Sequence, residues 1–222
     1  MQNDEIVNLT KQDWPIENQQ VLRHCILRAN ESMFGFLEEY PAQERISTIR
    51  GILKWDLVDY HLAWAASKEI FDGITAGWEK YMGSKILQLT GKNSCVIAKH
   101  VWEADDDPID SDQSFRKANR EKNQLLLSGF DEQVSHDGKT RIVLVHGGFG
   151  ENAFAFLRIY FNDAAPIQIS ENIMLLPDLD SATAEEFVAD PMPELKPSIV
   201  EKAGEVLPVE PLVKLKNVHS QS

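Results

Sequence analysis

The sequence predicts an α+β fold, in which an N-terminal antiparallel pair of long helices packs on a mainly antiparallel sheet of four to five strands with one inserted helix. Apolar residues recur at steps of three and four in the N-terminal third, and short apolar runs separated by turn residues follow. At 222 residues, 43% of them hydrophobic, the chain is long enough for one sizeable core. We expect a single domain over residues 1–177, helical over 13–83 and sheet-containing over 84–177, and then a flexible, acidic, proline-rich tail over 178–222.

Two long helices are predicted in the N-terminal part. Asp13 precedes Trp14 and Pro15 and is typical of a helix cap, because its carboxylate can accept the free amides of a first turn, where proline is tolerated. The first helix should end near Tyr40, and the second should run from about residue 43 to about residue 71. A short turn between two such helices favours antiparallel packing.

Strands are predicted after residue 84. Runs rich in β-branched and aromatic residues alternate there with turn residues such as Gly91 to Ser94. The predicted strands cover residues 86–90, 95–102, 141–145, 154–161 and 167–176, and the inserted helix covers residues 114–127. Because the hairpin-like connections are shorter than the dozen residues that a parallel crossover needs, the sheet should be mainly antiparallel.

The net charge of −13 is concentrated in two segments. Residues 103–112 contain six acids and no base, and residues 178–210 contain nine acids and two bases. These segments account for the whole excess, so the rest of the chain is close to neutral. Acids gathered in a loop and a tail favour a solubilising or partner-facing role over mimicry of DNA, which would spread carboxylates over the folded surface.

Cys25 and Cys95 lie far apart in apolar surroundings and are expected to be buried thiols. The first residues contain no apolar run of the signal-peptide type, and no segment approaches the roughly 18 apolar residues of a membrane span. The six histidines show none of the close spacings of metal-binding motifs. We therefore expect a cytoplasmic protein without a metal, a cofactor or a membrane contact.

Clustered glycines follow the predicted strand that ends at Val145. His146, Gly147 and Gly148 are a candidate phosphate-binding loop, because glycines after a strand let backbone amides approach an anion. A hydrolase oxyanion loop would also need a Gly-x-Ser-x-Gly turn, which is absent, and a nucleotide fold would place a helix where a strand is predicted. The other interpretation is a hairpin that uses glycine for positive φ.

A basic segment lies within the predicted inserted helix. Arg116, Lys117 and Arg120 are candidate phosphate ligands there, together with Lys99 on a neighbouring strand. The same bases could instead neutralise the acidic segment that immediately precedes them, since opposite charges adjacent in sequence attract. Nucleic acid is therefore an alternative partner.

The second long helix and its exit are rich in aromatic residues, which include Tyr60, Trp64 and Trp78. Aromatic residues at helical spacing form core in most proteins, but tryptophan and tyrosine also anchor partner surfaces. Trp64 is accordingly a candidate binding residue.

The most direct functional hypothesis is a non-enzymatic interaction or regulatory protein that binds a protein partner through the aromatic helix face or the acidic tail. In its general plan the chain resembles some bacterial and phage proteins, although no motif identifies a family. The alternative is a nucleic-acid or nucleotide binder, or an enzyme acting on phosphates, that uses residues 114–127 and the loop 146–152. No complete catalytic set is visible in the sequence, so whether the chain is an enzyme stays open.

Overall fold

The computed structural model describes residues 2–39, 46–81, 84–105, 138–161 and 164–188. Within these ranges it confirms an α+β fold, with helices and one mixed sheet. The predicted helix over 114–127 and the predicted tail beyond residue 188 lie outside the described residues. No helix in the described ranges has the length and apolar character that crossing a bilayer requires.

The helices and strands alternate in blocks along the chain, as in other α+β folds. The helices are α1 (Gln2–Asp13), α2 (Ile16–Glu39), α3 (Ile46–Ser67) and α4 (Ser181–Val188). The strands are β1 (Thr75–Tyr81), β2 (Ser84–Thr90), β3 (Ser94–His100), β4 (Thr140–Gly147), β5 (Phe154–Phe161) and β6 (Ala164–Gln168). Single 3-10 turns cover Gly150–Asn152 and Ile173–Leu175.

The six described strands lie side by side in chain order, and four of the five neighbouring pairs are antiparallel. The pair β3–β4 is parallel, so the sheet is mixed. Residues 101–139 connect these two strands and are long enough for a parallel crossover. The argument from short connections was therefore wrong for this one pair.

The predicted count of four to five strands was too low because β1 falls within the segment 13–83, which was assigned to helix. Its side chains from Thr75 to Glu79 are exposed. A strand at the edge of a sheet, with little buried surface, lacks the apolar alternation that identifies a strand in a sequence. The last predicted strand, 167–176, is also shorter than expected, since β6 ends at Gln168 and Ile173–Leu175 form a 3-10 turn.

The two faces of the sheet carry two separate apolar clusters. Ile142 and Leu144 belong to the larger cluster, which includes residues of α2 and α3, whereas Val143 and Val145 belong to a smaller one. This alternation follows from the two-residue period of a strand. His146 continues the even-numbered series, which places it on the helix-covered face at the end of β4.

Asp13 does not cap a helix in the way that its position before Pro15 predicts, because it is the last residue of α1. Its carboxylate accepts hydrogen bonds from the backbone N–H of Asn93 (2.7 Å) and from the hydroxyl of Ser94 (2.7 Å). The indole N–H of Trp14 donates to the same hydroxyl (3.0 Å). The Gly91 to Ser94 turn thus joins β2 to β3, as predicted, and also anchors the junction of α1 and α2.

Residues 181–188, which composition assigns to an extended tail, form the helix α4. Phe187 is 1% exposed and belongs to the larger core cluster. Its ring lies 5.1 Å from that of Trp64 and 4.3 Å from that of His24, measured between centroids. The compact unit that contains the sheet accordingly extends to Phe187, ten residues beyond the predicted boundary. The density of prolines that suggested a tail begins only at Pro191.

Candidate functional site

Four of the predicted binding residues lie together at one end of the sheet. The parallel register of β3 and β4 places Lys99 opposite Val145 and His100 opposite His146, and Gly147 ends β4 immediately before Gly148. The rings of His100 and His146 are 5.6 Å apart, measured between centroids. The structure therefore brings these four residues together at one place, and their role in binding stays a prediction.

The other predicted binding residues do not join this cluster. Trp64 lies ten residues beyond Lys54 on α3, which is about 15 Å along a helix axis. Arg116, Lys117 and Arg120 lie outside the described residues. Nucleic-acid binding by these three bases therefore stays a hypothesis that no described contact supports.

The glycine-rich loop connects two antiparallel strands, as the hairpin interpretation predicts. Gly148 has a φ of +63°, a conformation that favours glycine, and a Cβ on Gly147 would collide with the carbonyl oxygen of Val101 and the ring of Phe154. The carbonyl oxygen of Gly148 accepts a hydrogen bond from the ammonium group of Lys54 (2.8 Å). The positive φ of Gly148 and the lack of space for a Cβ at Gly147 explain why glycine occupies these two positions.

A groove of about 1200 Å³ lies elsewhere on the molecule, between α3, the turn that follows it and β1. Asp56, Tyr60 and Trp64 contribute to its wall from α3. They are spaced four residues apart, so they lie on one side of the helix. Trp78 contributes the opposite wall from β1.

Three of the aromatic residues that line this groove are only partly buried or are exposed. Trp78 is 54% exposed, and Tyr60 and Trp64 are half-buried. Trp64 rests on the buried ring of Phe187. The groove therefore presents aromatic surface to solvent on a packed support, an arrangement that protein interfaces favour.

The charge of the groove is uniformly negative. Among the described residues that line it, Asp56, Glu69 and Asp72 are acids and none is a lysine, arginine or histidine. Burial raises the pKa of Asp56 above its ordinary value. Burial raises the pKa of the neighbouring Asp59 to about 8, repulsion from Asp56 adds to this, and a hydrogen bond from the backbone of Leu87 opposes it. A cationic ligand in the groove would favour the ionised form of Asp56.

The strand that borders the groove is an edge of the described sheet. Among the described strands, β1 pairs with β2 alone, from Thr75 with Thr90 to Tyr81 with Ser84. Half of its backbone N–H and C=O groups therefore face away from the sheet. Such a row of groups is a template on which another extended chain can pair.

The turn between α3 and β1 contains a non-glycine residue with positive φ. Glu69 has a φ of 58°, and hydrogen bonds from the N–H of Glu69 to Ala66 O and from the N–H of Ile70 to Ala65 O end the helix in a Schellman motif. Glycine is the usual residue at this position because it lacks a Cβ. The side chain of Glu69 lines the groove, so a carboxylate is present where the backbone alone would favour glycine.

Sequence reasoning missed Lys54, Asp56 and the role of Trp78. Lys54 could have been found, because it is followed at helical steps by Val58, His61 and Ala65, and all four are buried. A lysine on the apolar stripe of a helix is unusual, since charged side chains are rarely fully buried. Asp56 and Trp78 carried no such signal because they meet only when β1 folds beside α3.

Within the described residues, no group of three or more His, Cys, Asp or Glu side chains is placed to hold a metal ion. The chain matches no protein-family model, and no curated protein or solved structure matches it significantly. The residues and their geometry are therefore the basis for the functional proposals.

Proposed function

We propose that this chain is a non-enzymatic interaction protein that binds a basic, extended segment of a protein partner in the groove between α3 and β1. The observation that carries the proposal is the exposed indole of Trp78, on an edge strand beside an acidic groove. Cys25 and Cys95 are buried thiols, which suits an interaction in the reducing cytoplasm.

Three features of the groove match such a ligand. An extended segment could pair its backbone with the open side of β1, which would supply main-chain hydrogen bonds. Its lysine or arginine side chains could then meet Asp56, Glu69 and Asp72. The rings of Trp64 and Trp78 would add cation–π attraction, worth roughly 0.5–2 kcal/mol for each well-placed cation. Backbone pairing gives affinity, and the alternate side chains give selectivity for positive charge.

A direct test titrates the isotope-labelled protein with a capped octapeptide of alternating lysine and threonine. We expect changes in the amide resonances of residues 75–79 and slower hydrogen exchange of the β1 amides that face away from β2. The same peptide with glutamate in place of lysine should not bind. A version N-methylated at alternate residues should bind more weakly, because it lacks half of the donors for strand pairing.

The matched variants are Trp78→Ala and Trp102→Ala. Both tryptophans are exposed, at 54% and 64%, but Trp102 does not line the groove. We expect Trp78→Ala to weaken peptide binding by about tenfold or more, as for an interface anchor, and Trp102→Ala to leave it unchanged. Equal binding of the lysine and glutamate peptides, or equal loss in both variants, would show that the groove is not the site.

A further inference from the structure

A second group of polar side chains, separate from the groove, lies where α3 covers the ends of β3 and β4. We call it the donor cluster; it comprises Lys54, Trp55, Lys99, His100 and His146. Its members come from three different elements, α3, β3 and β4. Lys99 and His100 are partly exposed and connect the cluster with solvent, whereas Lys54 and His146 are 0% exposed.

His146 is the most unusual member. Neither of its ring nitrogens has a hydrogen-bond partner among the described residues. A neutral imidazole has one N–H donor and one acceptor nitrogen, and leaving a buried polar group unmatched costs about 1–3 kcal/mol. The adjacent ring of His100 offers an edge contact at 5.6 Å but no described hydrogen bond.

The other members of the cluster are also donors. The ammonium group of Lys54 can donate three hydrogen bonds, of which the carbonyl of Gly148 accepts one at 2.8 Å. The same ammonium lies 4.1 Å from the ring centroid of Phe149. The indole N–H of Trp55 is buried without a partner in the described chain and can only donate. The ammonium of Lys99 lies 5.0 Å from the Trp55 ring centroid.

The described charges that act on His100 and His146 are all positive. Burial lowers the pKa of His146 well below its ordinary value, and Lys54, His100 and Lys99 lower it further. Burial, followed by Lys54 and Lys99, lowers the pKa of His100 to about 4, and burial lowers that of Lys54 to about 8. Among the residues that the structure describes, no carboxylate contributes to any of these three shifts. An anion would be attracted by every charge in the cluster, whereas a metal cation would be repelled by the two lysines.

We propose that the donor cluster binds a small oxyanion of the size and charge of phosphate or sulfate. Such an ion presents several acceptor oxygens around one centre, which suits donors contributed by the two neighbouring elements α3 and β4. The ammonium of Lys54, the indole of Trp55 and the imidazole of His146 would donate to it, and His100 would become easier to protonate beside it. Because Lys54 and His146 are fully buried, the site accommodates the free ion rather than a phosphate attached to a large group.

The test follows the melting temperature while phosphate replaces chloride at constant ionic strength and pH 7. A specific site gives a rise that saturates with concentration, because a ligand that binds only the folded state stabilises it by RT ln(1 + [L]/Kd). We expect the same from sulfate, and no saturable effect from chloride alone. Adenosine monophosphate should bind at least about tenfold more weakly than free phosphate, a difference of about 1.4 kcal/mol.

Trp55→Phe is the most informative variant, because it removes one donor and keeps an aromatic ring in place. We expect its affinity for phosphate to fall about tenfold, as for loss of a hydrogen bond to a charged group, while its melting temperature without phosphate is not lowered. Trp78→Phe is the matched control, because Trp78 lines the separate groove, and it should bind phosphate as the wild type does. In the wild type, phosphate should also raise the pKa of His100, as followed by NMR of the imidazole ring.

Three outcomes would overturn the proposal. The first is the absence of a saturable effect of phosphate and sulfate on the wild-type protein. The second is an equal effect in Trp55→Phe. The third is adenosine monophosphate binding as tightly as phosphate, which would assign the site to a nucleotide. None of these results depends on the groove, so the test is independent of partner binding.

Discussion

Helix α3 contributes to both the groove and the donor cluster. It places the acid Asp56 at the groove and the base Lys54 in the donor cluster. Asp56 lines an open groove beside Tyr60 and Trp64. Lys54 and Asp59, which lie two residues before and three residues after Asp56, are buried. Burial lowers the pKa of Lys54 to about 8 and is the main cause that raises the pKa of Asp59 to about 8. At pH 7 these values leave Lys54 mostly protonated and still charged, whereas Asp59 is mostly protonated and therefore neutral. Charge on this helix must therefore be counted from the structure rather than from the sequence.

The largest expected effect comes from removing the support beneath the groove. Phe187→Ala deletes a buried ring that contacts Trp64, so we expect a loss of about 3–5 kcal/mol in the free energy of unfolding, measured by urea denaturation. Leu175→Ala is the control, because Leu175 is 80% exposed and should change stability by less than about 0.5 kcal/mol. Similar small losses in both variants would mean that α4 does not support the groove.

The next effect tests whether Asp59 is neutral in the folded protein. Its folded pKa of about 8 lies above the ordinary 3.8, so the folded state binds a proton that the unfolded state has released. Its contribution to stability is therefore complete at low pH and is lost as the pH rises toward 8. The free energy of unfolding should fall by at most about 1.4 kcal/mol per pH unit between pH 6.5 and 8.

Asp59→Asn should remove this decline. The window above pH 6.5 matters because the depressed pKa values of His61 and His100, both about 4, make stability rise with pH at lower values. A decline of the same slope in Asp59→Asn would assign the effect to another group.

Two substitutions at Glu69 separate the contribution of its backbone conformation to stability from the contribution of its charge to binding. The expected change in stability is smaller than in the preceding predictions. Glu69→Gly should stabilise the protein by about 0.5–1 kcal/mol, because glycine adopts positive φ without the strain of a Cβ. Glu69→Gln keeps the Cβ and removes the charge, so it should leave thermal stability unchanged. Both variants should weaken binding of the lysine peptide. If Glu69→Gly melts at or below the wild-type temperature, the side chain makes a compensating contact.

The sequence predicted the parts of the fold that have a strong local pattern. The period of α2 and the apolar runs of β4 and β5 identify these elements because each buries a regular face. β1 and the short helix α4 were missed because one exposes most of its side chains and the other is fixed in place chiefly by Phe187. The parallel pairing of β3 with β4 could not be inferred from the alternation of apolar residues. This alternation shows which side chains of a strand are buried, but it does not show which strand lies next to it.

The candidate sites were predictable to different degrees for a similar reason. Lys99, His146 and the glycines are close in sequence to strand ends, so their proximity followed once β3 and β4 were adjacent. The groove instead requires β1 to lie beside α3, a contact between a helix and an edge strand that no local pattern specifies. Trp64 was chosen for its residue type; it lines the groove, but residue type does not specify the residues around it, and binding by Trp64 stays a prediction.

The parallel pairing of β3 and β4 also has a kinetic consequence. β1–β3 and β4–β6 are two meanders whose strands join through short turns, so each can form from local contacts. In the described sheet the two meanders pair through backbone hydrogen bonds along the β3–β4 seam, which closes a loop of 39 residues, 101–139. Loop closure opposes this step by an entropy that grows with loop length, by about 0.6 kcal/mol per doubling. We therefore expect seam formation to limit the folding rate, so that doubling this loop with glycine and serine slows folding about threefold and leaves unfolding unchanged.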